Sequence, residues 1–84
     1  MYKISIKKQN AKKRLVSIER YATVADAESA IDKHIENQYI DCCRAWGVVA
    51  VEKNQISANQ FSATFSPALV FIKPLTLIYT IEEV

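Results

Sequence analysis

The sequence predicts an α+β fold, one helix packed on a mainly antiparallel sheet in the order ββαβββ. Three observations predict it. Apolar and polar residues alternate with period two near the amino end, apolar residues recur at three- and four-residue steps in the second quarter, and strand-like runs occupy most of the rest. Eighty-four residues are enough for one hydrophobic core, so residues 1–84 are expected to form a single domain. Half the residues are apolar, 24% are charged, and there is only one Gly, a balance that argues for a packed chain over a disordered one.

Tyr2, Ile4 and Ile6 alternate with Lys3, Ser5 and Lys7, which reads as a strand with one buried face. The alternation resumes with Val16 and Ile18, so a second strand is predicted to return beside the first as a hairpin. Asn10 is the residue in that connection that takes positive φ most readily. Thr23 offers a helix N-cap with Asp26 three residues on, and a helix is predicted to begin at about Val24. Ala27, Ala30, Ile31, His34, Ile35 and Gln38 share one face of that helix, mainly apolar and suited to covering a sheet, and its end is placed near Gln38.

From Trp46 to Lys53 apolar residues occupy both alternating faces, a pattern that predicts a central strand. Asn54 to Asn59 then read as a connection. Phe61, Ala63 and Phe65 alternate with Ser62, Thr64 and Ser66 in a further strand with one wet face, which Pro67 is expected to break. Leu69 to Ile72 and then Leu75, Leu77, Tyr79 and Ile81 supply one last long strand or two short ones around Pro74.

Several function classes are excluded or disfavoured at this level. The longest apolar run, Ala68 to Ile72, falls far short of the roughly 20 residues that cross a bilayer. The lysines near the amino end have no apolar stretch and small-residue cleavage site behind them, so no secretory leader is predicted and a cytoplasmic location is expected. Phosphate-cradling loops need several glycines, and Gly47 stands alone. His34 is the one histidine, and it lies on the apolar helix face, a position that suits a packed residue better than a general base. Glu82 and Glu83 point to opposite faces of a strand and lack the setting that separates two carboxyl pKa values. No enzyme chemistry and no cofactor are therefore predicted. Cys42 and Cys43 are adjacent, too close for ordinary disulfide geometry, and are expected to be reduced thiols at or near the core; a redox pair or two ligands of a metal site are the alternatives.

Charge is uneven. Residues 1–20 hold seven Lys/Arg against Glu19 alone, giving +6, while residues 21–84 hold four against eight acids, giving −4. Within the basic part, Lys7, Lys8, Lys12, Lys13 and Arg14 bracket the predicted turn, a hairpin tip able to contact nucleic-acid phosphates or merely to keep a strand edge solvated. Glu28, Asp32 and Glu36 stand at i, i+4 and i+8, one acidic line on the predicted helix away from its apolar stripe. Like charges so spaced cost an isolated helix about 0.2–0.5 kcal/mol per pair. Such a line suits a basic surface on a protein partner, or is simply a solvated face.

Residues 2–37 resemble the arm-type DNA-binding domains of phage integrases, in paired strands, a basic turn and the helix start Thr23-Val24-Ala25-Asp26-Ala27-Glu28. Those domains close three strands before their helix and usually carry a glycine turn. This chain has two strands there, no glycine in the turn, and more than half its length after residue 37, so the resemblance transfers no function.

The carboxyl part is rich in apolar residues, and Leu75, Leu77, Ile78 and Tyr79 read either as an oligomer interface or as a central strand under the helix. The function expected from these features is a non-catalytic protein-protein interaction module, homodimeric through its last strands. It is the kind of small accessory protein or anti-defence inhibitor found on phages and other mobile elements, with the acidic helix line as its contact surface. The competing expectation is nucleic-acid binding through the basic hairpin. A third is a small-molecule pocket lined by Trp46, Phe61 and Phe65.

Overall fold

In the computed structural model, which describes residues 1–69 and 71–84, the element order is β1 (Tyr2–Lys8), β2 (Leu15–Val16), α1 (Val24–Trp46), β3 (Val49–Ser57), β4 (Gln60–Pro67) and β5 (Leu75–Glu83). The five strands form one sheet in the order β2-β1-β5-β4-β3, and each neighbouring pair is antiparallel. The predicted α+β class and the order ββαβββ are what the structure shows.

Alternation decides which side chains the helix covers. Ile4, Phe61, Ala63, Phe65, Leu77, Tyr79 and Ile81 are buried on one sheet face and meet Ala27, Ile31 and Ile35 from α1. Burying a side chain such as Ile31 contributes about 1.5–3 kcal/mol. The opposite face is not covered by a helix and carries Ser62, Thr64, Thr76 and Thr80, with Thr64 and Thr76 hydroxyls 3.0 Å apart and Gln60 donating to Thr80 at 3.2 Å. This is the wet face that the Ser/Thr alternation predicts.

The helix starts as expected, with Thr23 Oγ1 accepting from the Asp26 amide at 3.1 Å. It ends eight residues later than predicted. Nothing between Tyr39 and Trp46 breaks a helix, Cys42 and Trp46 continue the inward face below Ile35, and the chain leaves α1 only at Gly47, whose φ of 81° and ψ of −124° favour glycine. The length has a topological reason. α1 carries the chain from β2 at one sheet edge to β3 at the other, across five strands spanning about 19 Å, and a 23-residue helix of about 34 Å does this diagonally.

The long helix also corrects the prediction of a central strand after it. Trp46 is the last helical residue, Val48 is 78% exposed, and β3 is an edge strand in which only Val49 is buried. Apolarity on both alternating positions arose from three different environments in a row. Asn54 to Ser57, expected as connection, belong to β3, because an edge strand tolerates polar residues on both faces. The turn is then only Ala58-Asn59, and a register shift at Gln55/Ser57 accommodates a hairpin with no positive-φ residue.

The second strand is much shorter than predicted. β2 pairs only through Leu15 and Val16, with Ile6 and Ser5 opposite, and Ile18 is 96% exposed. The chain after Val16 stays beside β1 by other means: Ser17 Oγ accepts from the Ile4 amide at 3.1 Å, and Tyr2 and Tyr21 exchange two backbone bonds of 2.8 Å. Asn10 does not adopt positive φ. At the other end, β4 terminates at Pro67 as expected. Leu69, Phe71 and Ile72 lie in a turn segment rather than a short strand, and Val70 lies outside the described residues.

A Cβ placed on Gly47 meets nothing within 4 Å, so its conformation alone opposes substitution. Gly47→Ala is expected to lower unfolding free energy by about 1–3 kcal/mol, with an unchanged denaturant slope, measured by urea unfolding.

Candidate functional site

The two sheet edges differ in kind. The β2 edge is two residues long, and beyond it Arg20 Nη1 donates to the carbonyls of Ser17, Ile18 and Glu19, occupying groups that another strand would need. The β3 edge is nine residues long and pairs with β4 alone. Its backbone groups on the outer side are open to solvent, a template for an added strand.

Beside that edge lies a shallow, widely open depression of about 370 Å³ between α1 and β3. Ile35 and Val49 form its buried floor, and Val51 and Tyr39, 37% and 39% exposed, flank it. Asp32 and Glu36 stand on its helical wall. The helix places these groups because residues 32, 35, 36 and 39 fall on one side of it, the side turned toward β3.

The acidic line is therefore divided. Asp32 is ion-paired to Lys53, whose ammonium also sits 5.1 Å from the centroid of the Phe61 ring. Glu36 lies on the groove with no ion-pair partner among the described residues. Glu28 is half-buried one turn nearer the helix start and does not line the cavity. Sequence reasoning found the carboxylates but missed the groove beside them, since Val49 and Val51 were read as the interior of a central strand. The missed signal was Gly47, which separates helix from strand.

The basic cluster is divided too. Arg14 pairs with Glu82, which also meets Lys3 at 3.6 Å. Burial acts to raise the Glu82 carboxyl pKa, but the Arg14 hydrogen bond and charge, with Lys3 beside them, hold it below the usual carboxylate value. Lys8 and Lys13 turn toward the helix side and line a cavity beneath the hairpin. Lys7 alternates with Lys8 and so faces the other way, and Lys12 is exposed. The five charges do not converge on one tip.

The C-terminal group is also redistributed. β5 lies between β1 and β4 and is hydrogen-bonded along both sides, so it cannot serve as an edge for a second copy. Leu77 and Tyr79 are core residues, 6% and 0% exposed, and Leu75 packs against the core. Ile78 alone faces the Ser/Thr surface, half-buried. Of the three aromatics considered as a pocket lining, Phe61 and Phe65 are 6% and 0% exposed and Trp46 packs against the core, so they fill it and offer a ligand little surface.

His34 is half-buried, its ring resting against Tyr79. Its Nδ1 lies 2.8 Å from the Tyr79 hydroxyl, and the two rings meet edge to face at 5.4 Å. Burial lowers the imidazole pKa from 6.5 and raises that of the Tyr79 phenol. Cys42 is buried and Cys43 half-buried, both free thiols, with the Gln38 amide 3.7 Å from Cys42 Sγ. Among the described residues no group of three or more His, Cys, Asp or Glu side chains is placed to hold a metal ion. Among them, too, no helix is long and apolar enough to cross a membrane.

A histidine whose folded pKa is depressed stabilises the fold above its unfolded value near 6.5, and that contribution is lost as pH falls through the lower folded value. Urea midpoints should therefore fall between about pH 7.5 and about pH 5 more steeply in the wild-type protein than in His34→Gln. Equal slopes would show that His34 does not contribute.

No protein-family model, curated protein or solved structure matches this chain.

Proposed function

We infer that the protein is a non-catalytic interaction module that binds an extended segment of a partner protein along β3. The observation that carries this reading is the nine-residue edge strand with a shallow apolar depression directly beside it. Backbone bonds to an added strand supply affinity without regard to sequence, while alternate side chains of that strand enter the groove and set specificity. Ile35, Val49 and Val51 favour an apolar side chain, and Glu36 favours a Lys or Arg two positions along. The acidic helix line thus contributes as the charged wall of a groove, through Glu36 more than through Asp32, which Lys53 already neutralises.

A module of this kind acts as an inhibitor or adaptor by occupying a strand-like segment that its partner needs elsewhere, the role expected of a small accessory or anti-defence protein of a phage or mobile element. Self-association belongs to the same edge, since β5 is interior and β2 is short. Nucleic-acid binding is the weaker reading, because Arg14 is engaged by Glu82 and the lysines of the hairpin separate onto two faces.

Selection from a random peptide library displayed on phage should enrich extended ligands that alternate apolar and basic residues. NMR shifts caused by such a peptide should map to β3 and to α1 residues 32–39. Val51→Lys with Glu36→Lys is expected to weaken that peptide by at least about tenfold, from the loss of one apolar contact and one charge pair, with the circular-dichroism spectrum unchanged. Peptides without alternation, shifts confined to the hairpin, or salt-sensitive binding of short DNA or RNA that Lys12→Gln and Lys13→Gln abolish would each overturn the reading.

A further inference from the structure

At the sheet edge opposite β3, the β1–β2 hairpin and α1 flank a half-open cavity of about 270 Å³. Its size is just under the roughly 300 Å³ at which pockets for drug-sized ligands begin, so it suits a compact molecule. The walls are chemically sorted. Ile6, Leu15 and Leu77 give an apolar lining, and the exposed side chains of Lys8 and Lys13 border it. Neither lysine forms an ion pair among the described residues. His34 and Gln38 add polar groups from the helix.

The histidine ring is held from the core side. Its Nδ1 is held by the Tyr79 hydroxyl at 2.8 Å, which fixes the ring from the core side, while Nε2 has no hydrogen-bond partner among the described residues. Tyr79 is itself fully buried, so the ring rests on a rigid support. Leu15 is 75% exposed overall, an apolar side chain left uncovered at the cavity. Two lysines with no ion-pair partner among the described residues, an apolar lining and a held imidazole are the parts from which a site for an amphipathic anion is built: charge fixes one end and burial of apolar area holds the other.

We propose that the cavity beneath the hairpin binds a small monocarboxylate with a compact aryl or branched aliphatic body, its carboxylate between Lys8 and Lys13 and its apolar part against Ile6, Leu15 and Leu77. A larger lipid would extend beyond the cavity, and a purely ionic ligand leaves the apolar lining unused. The site is separate from the β3 groove and shares no residue with it. Its test therefore succeeds or fails independently of peptide binding.

The test is titration of the whole chain with phenylacetate and with 4-methylpentanoate, followed by calorimetry and by NMR of methyl and imidazole signals, with phenylacetamide and inorganic phosphate as controls. At least one carboxylate should give saturable shifts at the Leu15 and Leu77 methyls and the His34 ring. Phenylacetamide should bind about tenfold more weakly or not at all, as expected for loss of a charge-assisted contact, and phosphate alone should leave the methyls unmoved. Lys8→Gln and Lys13→Gln, both at solvent-exposed positions, should each weaken the carboxylate severalfold while the circular-dichroism spectrum stays the same. No saturable shift with either carboxylate, equal binding of the amide, or affinity indifferent to both lysine substitutions would overturn the assignment.

Discussion

The pairing of β1 with β5 is the constraint on which the rest of the structure depends. Seven consecutive residue pairs join the two strands, from Tyr2 with Glu83 to Lys8 with Leu77, across nearly the full length of the chain. Closing so long a loop has a substantial entropic cost, although that cost grows only slowly with length. It is offset by what the pairing buries. Ile4 comes opposite Ile81 and Ile6 opposite Tyr79, and this apolar strip receives Ala27 and Ile31 of the helix. The same register places Glu82 beside Lys3 and within reach of Arg14, so the free face is fastened where the helical face is packed.

Once β5 is interior, the character of both sheet borders follows. β1 can add only the short β2 on its outer side, and β4 can add only β3, which the helix delivers from across the sheet. The helix is long enough to reach β3 but too narrow to cover all five strands, since one apolar stripe spans two or three of them. Its two flanks therefore leave unequal gaps. On one flank Asp32, Glu36 and Tyr39 overlook the open edge; on the other, His34 and Gln38 look under the basic hairpin. An acidic and a basic site on opposite flanks of one helix are the three-dimensional form of the charge asymmetry in the chain, +6 in residues 1–20 and −4 in residues 21–84.

Local signals were legible where a single face decided the pattern. Tyr2, Ile4 and Ile6, the Phe61-Ala63-Phe65 alternation and the Thr23 cap with Ala27, Ile31 and Ile35 each encode one buried side, and each element formed where its period placed it. Legibility ended where neighbouring residues belonged to different environments. Trp46, Val48 and Val49 are helix end, link and strand, yet in a linear reading they are one apolar run. Strand order is a tertiary property, so no periodicity distinguishes the interior β5 from the bordering β3. The candidate sites suffered accordingly: their charged residues were visible, while the grooves that give those charges a use arise only from how α1 lies across the sheet.

The β1–β5 pairing also sets an order of assembly. β3 and β4 are joined by two residues and pair locally, whereas β1 has no long partner until β5, the last element in the order, is available. During synthesis β1 is made before β5, so Ile4 and Ile6 lack that partner strand while α1, β3 and β4 are made. Lys3, Lys7 and Lys8 lie along β1, and like charges so placed disfavour its pairing with a second copy of itself.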